Sequence, residues 1–295
     1  MKTLEALDTR PLFQPLHREL LDLLQGFRDE DWVLPTVAGA WRVRDVVAHL
    51  LDVMARDVAV IRDGHLPPPD AEIRGYEDLV AFLDGLNADW VRAARRLSPR
   101  LLVDLLDLVG QQAVEVLESQ PLEGEATFAV DWAGVDESRQ WMHVGRQYTE
   151  YWHHQMQLRD AVGAPRLLEA RWLKPLLDLS VRALPRTYSG VEAPAGTTVT
   201  LLVAGDGVEA ERGEEAGEEL GAWTLRGEAD GWSLWEGAPN APTTTVRLTA
   251  DESWRLLYNA RSPEESRQRA QIFGEAGWSE PLWRARSVMV RAPKD

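Results

Sequence analysis

One stretch, Gln140 to Gly163 (QWMHVGRQYTEYWHHQMQLRDAVG), constrains this chain more than any other. No proline falls between Pro121 and Pro165, and the only glycine inside the stretch before its last residue is Gly145, so the composition predicts one long helix. His143, Gln147, Glu150 and His154 follow one another at offsets of four, three and four, which places them along a single helical face. A helix packed in a bundle normally turns Leu or Val inward. This stripe is polar where it could be apolar. Glu150 and His154, one turn apart, are spaced to grip one metal ion from the same side. The same residues also fit a plainer reading, because histidines on helices are commonly surface or hydrogen-bonded core residues and a Glu–His pair at this spacing arises by chance.

The chain around this stretch is long enough, at 295 residues, for two domains and a substantial core. With 44% hydrophobic and 27% charged residues it reads as a soluble globular protein, and 13 Trp against 5 Phe and 5 Tyr supply large aromatic anchors. There is no cysteine, which excludes disulfides, thiolate metal sites and a Cys nucleophile of the protein's own. Any metal must therefore be held by His, Asp, Glu and water, and any thiol chemistry needs a small-molecule thiol. A formal charge of −16 argues against a sequence-independent nucleic-acid binder. No apolar run approaches the ~20 residues of a membrane span, and the N-terminal MKTLEALDTRPLFQPLHREL lacks a signal peptide's apolar core. The expectation is a cytoplasmic protein with no nucleic-acid or membrane partner.

Periodicity divides the chain in two. Pro11 to Phe27 reads as a first helix with Leu16, Leu20, Leu23 and Leu24 on one face, followed by an irregular connection punctuated by Pro35 and Gly39. Arg42 to Arg62 is a second helix, its apolar face built from Val43, Val46, Val47, Leu50, Leu51 and Met54. Tyr76 to Arg96 makes a third, continued to about Glu118 after Ser98 as N-cap and Pro99 at the first helical position. Pro121 to Asp136 reads as a loop or short hairpin before the key helix. Residues 1–165 are thus expected to form a four-helix bundle. From residue 166 to 295 a small α+β domain is expected. It opens with a helix over Leu167–Leu184, then strands over Thr197–Val203, Ala222–Leu225, Trp232–Trp235 and Thr243–Thr249. Helices follow over Asp251–Asn259 and Pro263–Phe273, with a last strand over Ser287–Val290. The acidic, glycine-rich GDGVEAERGEEAGEELG reads as a solvated loop.

His49 lies in WRVRDVVAHLLDV, beside the apolar face of the second helix. By itself it suits a buried histidine bonded to a backbone carbonyl. Facing helices of a bundle can also combine their inward polar residues into one metal site. His49 with Glu150 and His154 would give three protein ligands and leave a position for water, the open arrangement of catalytic sites.

These residues resemble a known family. Trp41-x-Val43-x-Asp45-Val46-Val47-Ala48-His49-Leu50, preceded by Asp31-Trp32 and Pro35-Thr36, is similar to the second-helix signature of DinB-like metalloproteins, and most of all to their mycothiol-dependent maleylpyruvate isomerase branch. In that branch a Glu-x-x-x-His follows on the last bundle helix, with a glycine nine residues after the His, and Glu150, His154 and Gly163 stand at those positions. The resemblance implies a DinB-like four-helix bundle followed by a small α+β domain, and a divalent metal, usually zinc, on His49, Glu150 and His154. It also implies mycothiol or a similar small thiol as cofactor, acting on a small electrophile. Two positions depart from the pattern: Gly39-Ala40-Trp41 replaces Pro-Gly-Trp, and Gln157-Leu158-Arg159 replaces Asp-Ile-Arg.

A thiol activated by such a metal can add to a cis double bond, let the adduct rotate and leave, which is isomerisation, or it can remain in the product, which is transfer. His143 is the candidate catalytic residue for orienting a ligand or moving a proton. His153 is a second candidate, read more simply as a surface or supporting residue because it faces away from the stripe. A metal-dependent hydrolase using bound water and a non-catalytic small-ligand-binding module are the alternatives.

Overall fold

The computed structural model of the chain describes residues 1–130, 133, 138–205 and 218–289. These fall into two compact units. The helical unit contains Asp8–Ala129 together with residues 138–166 and Met289. The sheet unit contains Leu167–Val288, Met1–Leu7 and the short stretch at Val130 and Ala133.

The helical unit is built on α1 (Arg10–Gln25), α2 (Val43–Asp57), α3 (Tyr76–Ala94), α4 (Pro99–Glu118) and α5 (Gln140–Val162). Local chemistry fixes the ends. Asp45 accepts the backbone N–H of Arg42 at 3.2 Å to open α2. Ser98 accepts from Leu101 N at 3.3 Å, with Pro99 next, to open α4. Gly163 closes α5 at φ 67°, a left-handed conformation that suits glycine. α1 packs on α4 and α5, and α2 packs on the same two helices. Phe13, Leu16, Leu20, Val46, Val47, Leu50, Met54, Leu102, Leu106 and Ala113 fill the space between them. α3 stands apart from this arrangement. It packs on α2 and buries only Val80, Val91 and Ala94, tied down by Trp90 Nε1 donating to Ala48 O at 2.7 Å.

α1 and α4 approach closely because residue 110 is glycine. A Cβ there would stand 2.2 Å from Cε1 of the buried His17 ring. α2 does not end cleanly: Val58–Arg62 continue it as one wider π-helical turn, of the kind found often beside functional sites.

The sheet unit carries six strands in the order β1 (Lys2–Thr3), β4 (Gly231–Glu236), β3 (Glu219–Glu228), β2 (Thr198–Ala204), β5 (Thr244–Thr249) and β6 (Gln271–Gly274). All neighbours are antiparallel except β2 and β5, which run parallel. α6 (Ala170–Ser180) and α8 (Ala250–Leu257) pack on the sheet, and α7 (Leu184–Thr187) and α9 (Pro263–Arg269) complete the unit. Its core is Trp172, Leu173, Leu177, Val199, Leu201, Val203, Trp223, Leu225, Val246, Leu248 and Trp254, all buried.

Most expected elements stand within a few residues of their predicted limits, but two short strands have no counterpart in the expectation. β1 is a pair of residues too short to show alternation. β6 replaces the end of the helix expected over Pro263–Phe273, because α9 stops at Arg269 and the chain turns out to pair with β5. The predicted strand over Ser287–Val290 does not form at Ser287 and Val288, which lie in a bend, and Val290 is outside the described residues. The acidic loop expected around Glu214 also lies outside them, as do residues 131, 132 and 134–136 of the connection before α5.

Candidate metal centre

α5 is unusual in what it buries: His143, Gln147, Thr149, His153, His154, Gln155, Gln157 and Arg159 are all inside. Three side chains meet at the α2–α5 contact. Glu150 Oε1 lies 3.4 Å from His49 Nε2 and 3.2 Å from His154 Nε2. The three ligand atoms lie within 4.8 Å of one another, and no other group of three or more His, Cys, Asp or Glu able to hold a metal occurs among the described residues. Bonds of about 2.0–2.1 Å from zinc to nitrogen and oxygen put neighbouring ligand atoms of a tetrahedron roughly 3.3–3.4 Å apart. Two of the three edges already have that length, so the donor set fits a small divalent ion.

The electrostatics agree with the geometry. Burial pushes the His49 imidazole down to about 4, against the pull of its hydrogen bond to Glu150. It is therefore neutral near pH 7, the form that binds metals. Burial works to raise the Glu150 carboxyl, but hydrogen bonds with His154 and His49 and the nearby imidazoles outweigh it and hold Glu150 well below the usual carboxylate range. Glu150 keeps 27% of its side-chain surface exposed, against 4% and 8% for His49 and His154, so the cluster has an open side at the carboxylate.

Its surroundings are ordered by short contacts. His154 Nδ1 stands 2.8 Å from Gln157 Oε1. The Trp41 ring lies 4.9 Å from the His49 ring and 6.4 Å from that of His154. A tight loop places Trp41: residues 35 and 42 form a bridge, Gly39 takes φ 63°, and Thr36 N and Oγ1 both donate to Trp41 O at 3.2 and 2.8 Å. The expectation that His153 faces outward is corrected. His153 is 4% exposed, its ring centroid is 4.0 Å from that of His154, and its Nδ1 is 2.9 Å from Thr149 O.

His143 is not drawn into the cluster. It is buried two turns before Glu150, edged by Phe128 and by Arg146, whose Nη2 is 3.4 Å from its Nδ1. Its Nε2 has no hydrogen-bond partner among the described residues, and burial followed by the Arg146 charge lowers its pKa to about 3. Gln147, from the same stripe, instead donates to Asp57, a buried carboxylate of α2 that also accepts from Tyr151 Oη at 2.8 Å. Burial pushes Asp57 up to about 6 despite those two donors and Arg146. This second polar contact between α2 and α5 escaped the sequence reading. Its trace is there, since Asp57 lies eight residues after His49 on the same helical face.

Fold and site together define a class: a helical unit with an inward-facing His–Glu–His set of metal-ligand type, followed in the same chain by a small sheet unit. Residues 13–159 match the family described as "Mycothiol maleylpyruvate isomerase N-terminal domain", and this region of the chain belongs to that family. Two solved structures share its fold. Both are crystal structures of the mycothiol-dependent maleylpyruvate isomerase, one of a histidine-to-alanine mutant and one without that description. They are 12% identical to this chain, cover 93% of it over 97% of their own length, and superpose with TM-scores of 0.53 and 0.52. At that identity the likeness shows the fold. No curated protein sequence matches the chain. No helix of the described residues is long and apolar enough to cross a membrane.

Proposed function

We propose that this chain is a cytoplasmic metal-dependent enzyme that uses a small thiol, mycothiol or a close equivalent, on a small electrophile. The reaction is isomerisation of a cis double bond of the maleylpyruvate type, or transfer of the thiol to its acceptor. The observation that carries the reading is the convergence of His49, Glu150 and His154 from two helices, within the region that matches this family. Two imidazoles and a carboxylate suit zinc. We read α1, α2, α4 and α5 as a four-helix bundle whose interior hosts the site.

His49, Glu150 and His154 would hold the ion, which would supply Lewis acidity to lower the pKa of a thiol beside it. The protein's residues supply the rest. His49 is a neutral donor and Glu150 an anion, so a divalent ion held there would keep net positive charge, which favours a thiolate. Trp41 walls the imidazoles with indole and limits access of water. The chain has no thiol of its own, so the sulfur comes from solution. In the isomerase form the thiolate adds to one carbon of the double bond as the π pair moves onto the electrophile's conjugated carbonyl, the resulting single bond turns, and the pair returns to re-form the double bond and expel the thiolate. His143, with its free Nε2, is proposed to move a proton during this exchange.

Metal analysis of the purified protein, followed by calorimetric titration of a small thiol, tests the reading. The expected result is one zinc per chain and thiol binding that requires the metal and releases a proton, measured in two buffers of different ionisation enthalpy. Equal thiol binding to metal-free protein, or none to the loaded protein, would overturn it in favour of the hydrolase or the binding module. His143→Gln is expected to leave metal content intact and to lower turnover by about 10²-fold or more, the scale of a lost general acid or base.

A further inference from the structure

We infer that Gln157 is a positioning residue for His154, fixing the ring so that Nε2 is the ligand atom while adding no charge of its own. The inference rests on the metal reading above and concerns how this chain holds its ligand.

The carboxamide oxygen of Gln157 can only accept a hydrogen bond, and it stands 2.8 Å from His154 Nδ1. That contact requires a proton on Nδ1. The lone pair of Nε2 then points at the Glu150 carboxylate, 3.2 Å away. A metal ion between them would be held by both, as a proton would. Both side chains are buried, Gln157 at 5% and His154 at 6% exposure, so water cannot readily take the place of the amide. The spacing of three along α5 puts residue 157 beside residue 154 on the helix surface, and so sets the reach.

The other histidines show that this support is particular to His154. His153, its neighbour, has Nδ1 against a backbone carbonyl, that of Thr149. His49 Nδ1 is buried with no hydrogen-bond partner among the described residues. His49 is thus oriented by packing, with Trp41 beside it, whereas His154 is oriented by a directed hydrogen bond. A metal-binding histidine commonly donates its second N–H to a carboxylate, carbonyl or water. Here the acceptor is a neutral amide, so the imidazole is held in place without the extra basicity a carboxylate would lend it.

Zinc competition against a chromophoric chelator, on the full chain, tests this with wild type, Gln157→Leu and Gln157→Glu. Gln157→Leu removes the acceptor at nearly constant volume and is expected to weaken zinc about 10- to 100-fold. Gln157→Glu keeps an acceptor at the same reach and is expected to bind zinc at least as tightly as wild type. Melting of the three metal-free proteins separates positioning from folding, and an unchanged melting point for Gln157→Leu supports positioning. Should Gln157→Leu not fold, the ¹⁵N-histidine spectrum of zinc-loaded wild type decides: His154 protonated on Nδ1 and metal-bound through Nε2 supports the assignment. The reverse tautomer overturns it. So does zinc affinity unchanged in Gln157→Leu, or a loss in Gln157→Glu equal to that in Gln157→Leu. Wild type that takes up no zinc at all is a different result, because it removes the metal reading itself and this inference with it.

Discussion

α5 and α6 follow one another in the chain and differ in how much polar surface they bury. α6 encloses Trp172, Leu173, Leu176, Leu177 and Leu179, with Ser180 its one buried polar residue. α5 encloses histidines, glutamines and an arginine beside Tyr148, Trp152, Met156 and Leu158, and most of these polar groups are matched. Gln155 Nε2 donates to Leu16 O at 3.0 Å and its oxygen accepts from Arg159, which also reaches Glu19 and Pro165 O. Gln147 and Tyr151 share Asp57. Apolar burial is non-directional and tolerates small shifts. A buried polar group left unmatched costs about 1–3 kcal/mol, so a polar interior selects one register of its helices. α6 is built to hold a fold together, and α5 to hold particular atoms at particular places.

Metal content is the sharpest way to break that comparison. His49→Ala and His154→Ala should each weaken metal binding by more than roughly 100-fold, beyond the effect of outer-shell changes. Retention of stoichiometric metal by His49→Ala, measured by atomic emission after dialysis, would show that the two helices do not share a ligand set. Leu177→Ala in α6 should do the converse. It is expected to cost about 2–5 kcal/mol in chemical denaturation and to leave metal affinity alone. A change in affinity there would mean the apolar region also tunes the site.

Asp57 sharpens the contrast through pH. Its carboxyl is raised to about 6 from an ordinary 3.8, so the folded chain binds that proton more tightly than the unfolded one. Its contribution is full below about pH 4 and disappears as pH rises through about 6, an effect of about 2–3 kcal/mol. Asp57→Asn should flatten this part of the stability profile, and denaturation series at pH 4.5 and 7 would reveal whether it does. Gly110→Ala should cost about 1–3 kcal/mol by forcing the buried His17 ring away from α4, read as a lower melting temperature. The smallest effect is expected at the junction of the units. Limited proteolysis should cut near Gly163–Leu167 and leave two folded fragments, whereas cuts concentrated within α2 would argue against separate folding.

The amphipathic helices were legible because their apolar faces are continuous. α5 was legible through its composition, since its limits needed only the absence of proline and the glycine at 163. His49, Glu150 and His154 could be named because two of them lie one turn apart and the third sits beside an apolar face. What stayed hidden depends on rotamers and distant partners. No spacing rule says that Gln147 turns toward Asp57 while Glu150 turns toward His49. Nor does one say that His153 is covered, because what covers it comes from elsewhere in the fold. The place of α3 was equally hidden: its pattern resembles that of α4, yet it lies outside the pairing of α1 and α2 with α4 and α5.

The pairing of β1 with β4 has a consequence for how the protein is made. Lys2 stands opposite Glu236 and Thr3 opposite Trp235, so these partners leave the ribosome about 230 residues apart. At about 5–20 residues per second, roughly 10–50 seconds separate them. Throughout that interval β1 waits for β4 while the helical unit is completed behind it. The outer rim of β4, once formed, offers bare backbone amides and carbonyls until the waiting segment returns. The β1–β4 edge of the sheet therefore joins strands whose synthesis is separated by the whole helical unit.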